Sequence, residues 1–228
     1  MLNLFLINRK PCKQVIYTAL FGDRDDLKPI KKQNGFDYFV FTDNPSLKHP
    51  VFKTTIIKPV DHDPCRNARF VKINPHIVLP GYQYWIWIDA NIAVEGIDFN
   101  QLLERYLDKH DIALHKHPFR RCIYEEASAC REKGFDLPGK IDAQVKKYQD
   151  EEYPVNNGLC STSILYRRNT GRMIAFNDLW WKEISAHSRR DQLSFNYVAW
   201  KQGFDFFEIP GHVRLGNVEG FRICTHKK

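Results

Sequence analysis

The run YWIWI at residues 84–88 constrains the fold most strongly, because it is apolar at every position and Asp89 follows it directly. Strands that are apolar on both faces are typical of the centre of a parallel sheet covered by helices on each side. Runs rich in β-branched and aromatic residues at 14–21, 36–42, 51–57, 163–166 and 221–225 predict further strands. Strands that alternate with helical segments indicate a three-layer α/β/α sandwich with a mixed, mostly parallel central sheet.

A helical segment at 63–79 comes just before that central strand, and three basic residues recur along it at every third position. These are Arg66, Arg69 and Lys72, which share one face of the predicted helix. Such a face can bind phosphates, and a solvated basic surface explains the spacing equally well. Ligands of α/β folds bind beyond the carboxyl ends of the strands, so the position of this helix next to Asp89 favours phosphate binding.

The triplet Asp89-Ala90-Asn91 is the strongest candidate for chemistry. If the chain stays extended after the strand, Asp89 and Asn91 point to the same side and offer two oxygens to a hard divalent cation. A D-x-N triplet usually marks a surface turn. Its position directly after a buried apolar strand favours a functional role for the triplet.

The first predicted strand ends at Thr18, Ala19, Leu20 and Phe21, just before Gly22. The small Ala19 and Gly22 would let the backbone approach a base and ribose closely. An ordinary strand end explains the same pattern nearly as well.

Two later segments carry side chains suited to sugar hydroxyls: Asn156-Asn157-Gly158 and Asp191-Gln192. Asp191 also suits the N-cap of the helix that follows. The substitution Asp191→Asn separates these roles, since it keeps the capping ability and removes the charge. From the sequence we expect Asp191 to face the sugar, so this variant should melt near the wild type and lose about 10²-fold or more in turnover.

Length and composition limit the class of protein. A chain of 228 residues, 43% hydrophobic, can bury a sizeable core without disulfides. No repeat, low-complexity stretch or Gly/Ser linker divides it, so we predict one domain over residues 1–228. The six cysteines form no CxxC pair, which argues against a zinc site and favours mostly free thiols.

The N-terminal residues carry their charges after the apolar stretch, the wrong order for a signal peptide. No apolar run approaches the ~20 residues of a membrane helix. We therefore expect a cytoplasmic protein without a transmembrane segment and leave peripheral contact with the inner membrane open. The net charge of +7 suits a phosphate-bearing ligand, an anionic polysaccharide, a membrane surface or nucleic acid, and selects none of them.

In order, these motifs resemble a family of bacterial and plant GT-A glycosyltransferases, formerly a domain of unknown function, whose plant members act in mucilage and pectin synthesis. The resembling segments span nearly the whole chain: VIYTALFGDRD (15–25), FTD (41–43), RNARFVKINPH (66–76), WIWIDANI (85–92), VNNGL (155–159) and RRDQLSFNYV (189–198). Their order is also similar to that of glycogenin-like transferases.

The resemblance implies a role for each matching position. Asp89 and Asn91 correspond to the D-x-D pair that holds Mn²⁺ or Mg²⁺, with His226 as the third metal ligand and His212 as its competitor. Asn91 departs from the family pattern, because a neutral amide replaces the second carboxylate. The donor side is implied to include the strand end at 18–21 with Asp43, the bases Arg66, Arg69 and Lys72, Asp89 with Ala90, and Asn156, Asn157 and Gly158.

The same resemblance implies transfer from a nucleotide-sugar, a UDP-sugar with retention, to a glycan acceptor in surface polysaccharide synthesis. Asp191 and Gln192 would face the reacting sugar. The acceptor side would be lined by His115, His117, Arg120 and Glu125, together with Glu126. Two rival classes stay open. A nucleic-acid-binding module would explain the basic charge but lacks a recognisable signature, and a metal-dependent hydrolase would need denser His/Asp clusters.

Overall fold

The computed structural model describes residues 14–22 and 25–225, and one seven-stranded sheet organises them. The strands of both sheets are β1 (Gln14–Leu20), β2 (Phe36–Thr42), β3 (Lys53–Ile56), β4 (Tyr84–Ile88), β5 (Ile92–Val94), β6 (Ile112–Lys116), β7 (Cys160–Arg168), β8 (Phe207–Ile209) and β9 (Phe221–Ile223). The order in the large sheet is β3-β2-β1-β4-β7-β6-β8. Only β7 runs antiparallel to its neighbours, which confirms the predicted mixed, mostly parallel sheet.

The central position of β4 follows from its apolar sequence. Trp85 and Trp87 belong to one hydrophobic core, and Ile86 and Ile88 belong to the core on the opposite face of the sheet. Successive side chains of a strand point to opposite faces, so a strand buried on both sides must be apolar throughout. The three-layer arrangement predicted from YWIWI is therefore confirmed.

Seven α-helices cover the sheet within the described residues. They are α1 (Pro64–Ile73), α2 (Pro75–Val78), α3 (Phe99–Leu107), α4 (Ile123–Glu132), α5 (Pro138–Asp150), α6 (Gly171–Ala186) and α7 (Gln192–Lys201). Helices α1, α6 and α7 contribute to the core that contains Trp85, and α3 contributes to the other core. Across the described part of the chain, no helix combines the length and apolar character needed to cross a membrane.

The helical segment predicted at 63–79 is two helices rather than one. Asp63 caps α1, because its side chain accepts a hydrogen bond from the backbone N–H of Cys65. Asn74 ends α1, and Pro75 begins α2. Proline lacks the backbone donor that a continuing helix needs, so the break follows from the sequence.

The cysteines within the described residues, Cys65, Cys122, Cys130, Cys160 and Cys224, are free thiols. This agrees with the expectation of mostly unpaired cysteines. Cys12 lies outside the described residues.

A small antiparallel sheet of β5 and β9 lies beside the carboxyl end of β4. It depends on Gly220, whose φ of +76° is in the left-handed region. A Cβ at this position would lie 2.6 Å from the carbonyl oxygen of Glu95 and 2.4 Å from Ile97 Cδ1. The close approach lets Glu95 N–H donate to the Gly220 carbonyl at 2.9 Å and so joins the two strands.

We predict that Gly220→Ala destabilises the protein by about 2 kcal/mol more than Gly216→Ala, because only the first substitution forces a clash with backbone. Gly216 has a similar φ of +65°, and a methyl group added there would meet no atom within 4 Å, so it controls for the cost of the left-handed conformation. Chemical denaturation of both variants measures the difference. Equal losses would show that the close approach at Gly220 is unimportant.

Candidate functional site

The predicted site segments converge at one edge of the large sheet. The carboxyl ends of β1, β2, β4, β6 and β8 lie there, together with the start of β7, because β7 alone is antiparallel. The strand end at 18–21, Asp43, Asp89, the turn at 156–158 and His115 all belong to these strand ends. The sheet topology therefore gathers residues that are far apart in sequence.

A buried cluster of charges lies at this edge. Lys72 Nζ is 2.6 Å from Asp191 Oδ2 and 3.4 Å from Asp89 Oδ1, and Arg69 Nε is 3.0 Å from Asp191 Oδ1. Lys72 and Asp191 are each 1% exposed. The two bases that the sequence placed on one helix face thus meet two carboxylates from different parts of the chain.

Asp191 occupies the N-cap position of α7, yet its side chain makes no capping hydrogen bond. It instead accepts a hydrogen bond of 2.7 Å from Thr162 Oγ1 in β7 and pairs with Lys72 and Arg69. Burial alone would raise the pKa of Asp191, but the adjacent Arg69 and Lys72 outweigh it and hold that pKa well below its usual value. The carboxylate therefore serves the ion cluster rather than the helix cap.

Lys72 shows the cost of burying an ammonium group. Burial lowers its pKa, while Asp191 and then Asp89 act in the opposite direction. The amine also lies 5.5 Å from the centre of the Trp87 ring, at the distance of a cation–π contact. Taken together, two cations and two carboxylates balance one another, with Lys72 and Asp191 buried and Arg69 and Asp89 partly exposed.

Asp89 is the accessible member of this cluster, with 29% of its side chain exposed. Its Oδ1 accepts a hydrogen bond of 2.7 Å from Trp87 Nε1, which orients the carboxylate. Asn91 lies in a turn rather than in an extended strand, because Ile92 N–H donates to the Asp89 carbonyl at 3.0 Å. Asp89 and Asn91 therefore do not share one face of an extended chain, as the sequence had suggested.

Asn91 is held by Cys224, the residue that follows β9. Its side-chain Nδ2 donates to the Cys224 carbonyl at 3.3 Å, and Cys224 N–H donates to the Asn91 carbonyl at 2.8 Å. With Nδ2 engaged, Oδ1 is the atom that can bind a cation. Asp89 and Asn91 supply the hard oxygen ligands that Mn²⁺ and Mg²⁺ prefer, so this donor set fits such an ion.

The predicted third ligand, His226, lies outside the described residues. Within the described ranges, no group of three or more His, Cys, Asp or Glu side chains is arranged to hold a metal. The cation site therefore stays a prediction that rests on Asp89 and Asn91.

The end of β1 offers a further polar atom at the edge. Thr18 is 2% exposed, and its Oγ1 has no hydrogen-bond partner within the described residues. Ala19 and Phe21 are buried, and Leu20 is half-buried. Asp43 follows β2, the neighbour of β1, and is exposed.

The turn before β7 exposes Asn156 and Asn157 to solvent. Asn156 has a φ of +59°, and Gly158 follows with a φ of +84°. A Cβ on Gly158 would lie 3.4 Å from Asn196 Nδ2, and Asn196 Oδ1 accepts from Cys160 N–H at 2.9 Å. Asn196 of α7 thus binds the first residue of β7, and it leaves little room for a side chain at Gly158.

One of the predicted donor-side residues, Arg66, is placed differently from the expectation. The guanidinium of Arg66 donates to the carbonyls of Ile184 and His187 at the C-terminus of α6, the second at 2.6 Å, so this side chain is committed to a helix end. Gln192 is half-buried at the first position of α7. The helical spacing of Arg66, Arg69 and Lys72 could not show that Arg66 would bind the end of α6 while the other two join the charge cluster.

On the predicted acceptor side, the two adjacent glutamates differ in burial. Glu125 is exposed, whereas Glu126 is 2% exposed and accepts from Arg120 Nε at 2.5 Å. His117 Nε2 lies 3.7 Å from the same carboxylate. The burial of Glu126 among basic side chains could not be read from two adjacent glutamates.

His115 and His212 form a buried pair with their ring centres 6.3 Å apart. His115 Nδ1 lies 3.0 Å from the Gly211 carbonyl and must carry a proton, whereas His212 Nδ1 accepts from Arg214 N–H at 3.0 Å and must not. When neutral, the pair thus presents one acceptor and one donor at Nε2. Burial, with the neighbouring His115, His117 and Arg214, lowers the pKa of His212 to about 4.

Comparison with known proteins gives a family match. The sequence model described as "TOD1/MUCI70, glycosyltransferase-like domain" matches residues 51–208. The chain is 24% identical over 200 residues to the "Probable hexosyltransferase MUCI70" of Arabidopsis thaliana, covering 83% of this chain and 33% of the relative. It is 25% identical over 228 residues to the "Alkaline ceramidase TOD1" of the same plant, covering 84% of this chain and 49% of the relative. The chain therefore spans a third to a half of the length of these curated relatives.

Two solved structures match the chain with TM-scores below 0.5. The first is a glycosyltransferase involved in the glycosylation of the major capsid of PBCV-1, with a TM-score of 0.36 and 7% identity over 67% of this chain and 63% of that chain. The second is mouse xyloside xylosyltransferase 1 in its apo form, with a TM-score of 0.45 and 9% identity over 86% of this chain and 84% of that chain.

The burial of the ion cluster changes the expectation for Asp191→Asn. Removing this charge leaves Lys72 and Arg69 buried without their main partner, so we predict a loss of about 3 kcal/mol in the free energy of unfolding. Asp142→Asn, which breaks an exposed pair with Arg131, should cost no more than about 0.5 kcal/mol. Urea denaturation measures both variants, and a stable Asp191→Asn protein would contradict the structural role of the charge.

The histidine pair predicts a pH dependence of stability. A histidine whose folded pKa is about 4 binds protons only in the unfolded state between that value and 6.5, so stability is lost as the pH falls through this window. We expect the melting temperature of His212→Asn to fall less steeply between pH 7 and pH 4.5 than that of the wild type. His62→Asn alters an exposed histidine and should keep the wild-type slope. Identical slopes in all three proteins would exclude His212 as a source of the acid sensitivity.

Proposed function

The chain belongs to the TOD1/MUCI70 glycosyltransferase-like family, and from this premise we propose that it transfers a sugar from a UDP-sugar to a hydroxyl of a glycan acceptor. The order of the sequence motifs predicts this family, and the match over residues 51–208 confirms it. The nucleotide, the cation and the acceptor are part of the proposal. We place the reaction in surface polysaccharide synthesis.

The observation that supports the proposal best is the charge cluster at the carboxyl edge of the sheet, in which the partly exposed Asp89 pairs with the buried Lys72. Asp89 is 29% exposed, and Lys72 Nζ lies 3.4 Å from it. Arg69 lies on the same helix face and shares Asp191 with Lys72. A nucleoside diphosphate presents the dense negative charge that such an edge can bind.

The chain's own residues would stabilise the leaving group electrostatically. Arg69 and Lys72 are fixed before the donor arrives, so they need not reorganise as charge develops on the outer phosphate. Asp89 and Asn91, with His226, would hold a divalent cation, which when bound supplies Lewis-acid stabilisation of the diphosphate. The donor's base and ribose would lie against the end of β1 at 18–21, near Asp43 and the turn at 156–158.

The balance of charge predicts how donor and cation bind. Two cations and two carboxylates form a neutral cluster, so a divalent cation alone would meet repulsion from Lys72 at close range. A nucleotide alone would be repelled by Asp89, because the phosphates and the carboxylate are both negatively charged. A cation and a diphosphate that arrive together nearly cancel, and each should therefore strengthen the binding of the other.

The position of Asp191 bears on the mechanism. The resemblance implies a retaining reaction with Asp191 beside the sugar, but this residue is 1% exposed and both carboxylate oxygens contact cations. This burial favours a role in holding Lys72 and Arg69 for the donor. Gln192, which follows it and is half-buried, is the better placed of the two to contact the sugar.

A second candidate function comes from one relative, which is named an alkaline ceramidase. That name describes hydrolysis of an amide in a lipid and requires no nucleotide. Two assays distinguish the activities. A transferase should bind UDP saturably with Mn²⁺, whereas a ceramide hydrolase should release a fatty acid from ceramide without UDP. Salt-sensitive binding of oligonucleotides would instead favour the hypothesis of a nucleic-acid-binding module.

We predict that Asp89→Asn weakens UDP binding in the presence of Mn²⁺ at least about tenfold, because the substitution removes the only charged ligand predicted within the described residues. The melting temperature should change little, since Asp89 is accessible to water. Asp178→Asn removes a carboxylate on α6 that pairs with His76 and is the matched control. Calorimetric titration with UDP decides the matter, and wild-type affinity in Asp89→Asn would remove Asp89 from the donor site.

A further inference from the structure

Arg167 in β7 is a fully buried cation, and no carboxylate pairs with it among the residues described. Its guanidinium donates to the Lys72 carbonyl at 2.5 Å, to Asn177 Oδ1 at 3.2 Å and to the Tyr17 hydroxyl. The Tyr17 hydroxyl in turn donates to the same Lys72 carbonyl at 2.8 Å. A charge of this kind is costly to bury and so calls for a physical explanation.

The C-terminus of α1 explains why a cation is buried here. Lys72 and Ile73 are the last residues of α1, and their carbonyls are among the four that a helix leaves without intrahelical partners. The C-terminus of a helix also carries partial negative charge, which favours a cation there. The guanidinium lies 3.5 Å from the Ile73 carbonyl as well. Arg167 therefore satisfies the buried end of α1.

We propose that Arg167 is a positioning residue for the candidate donor site, which it serves by holding the last turn of α1 against β1 and β7. The carbonyl that it binds belongs to Lys72, whose side chain carries the ammonium shared by Asp191 and Asp89. Fixing the backbone of Lys72 fixes the starting point of that side chain. Arg167 itself touches neither carboxylate and acts only through Lys72.

The chain contains a close internal control for this role. Arg168 is the next residue of β7, and its guanidinium donates to the Leu107 carbonyl at the end of α3. Both arginines thus bind the C-terminus of a helix, but Arg168 faces the opposite layer and contacts nothing in the charge cluster. Removing either side chain should destabilise the protein, and only one removal should alter the site.

The first experiment compares Arg167→Met with Arg168→Met in the absence of nucleotide. Native-state lysine acylation followed by mass spectrometry measures how fast Lys72 is modified. We expect Arg167→Met to raise the rate at Lys72 about tenfold, the scale of coupling within one hydrogen-bonded network, and Arg168→Met to leave it at the wild-type value. An exposed residue, Lys133, reports the reactivity common to all the proteins.

The second experiment rests on the proposed function and measures UDP binding with Mn²⁺ in the same variants. Arg167→Met should bind about tenfold more weakly, and Arg168→Met should bind as the wild type does. If the wild type binds no UDP, the proposed function fails, while the acylation rates still decide the role of Arg167.

Tyr17→Phe covers the case in which Arg167→Met does not fold. It keeps the packing of the ring and removes the hydroxyl that links Arg167 to the Lys72 carbonyl, so Lys72 should be acylated several-fold faster than in the wild type. A wild-type rate in the folded variants at Arg167 and Tyr17 would overturn the proposal. So would an equal increase in Arg168→Met, because a general loss of stability would then explain the change.

Discussion

The structure depends on one buried carboxylate that two cations share. Asp191 is 1% exposed and lies within 3.0 Å of both Arg69 and Lys72. A buried charge is tolerated only with good partners, so the bases of α1 and the start of α7 must meet at this point. The contact joins two helices that are more than a hundred residues apart in sequence. It thereby sets the position of the basic helix face relative to the end of β4, where the accessible Asp89 lies.

This arrangement accounts for the placement of strong charges beside an otherwise apolar core. The Trp87 indole orients Asp89, and Lys72 lies between Asp89 and Asp191. Charges fixed in this way are ready to receive a ligand without the reorganisation that water would require. In the proposed function, this balance means that the site would gain little by binding a cation or a phosphate alone. The proposal therefore expects a divalent cation and a diphosphate to bind together.

Much of the fold could be predicted from local sequence, because the apolar character of residues 84–88 specifies a strand buried on both faces. The same strand placed Asp89 at the edge where ligands bind. The partners of the other charged side chains could not be predicted. Spacing alone did not show that Arg66 would bind the end of α6, or that Glu126 rather than its neighbour would be buried. Both outcomes depend on contacts between distant segments, which a helical repeat does not encode.

The most direct test of the central claim uses the Trp87 indole, which donates to Asp89 Oδ1 at 2.7 Å. In a ¹H–¹⁵N spectrum the signal of its Nε1–H can be assigned by substitution, and Mn²⁺ broadens signals of nearby protons. If Asp89 holds the cation of a UDP complex, adding Mn²⁺ with UDP should broaden the Trp87 signal strongly. The Trp200 signal, from an exposed side chain near the end of α7, should remain sharp. A Trp87 signal that stays sharp while UDP and Mn²⁺ bind would contradict the account, because the donor site would then lie elsewhere.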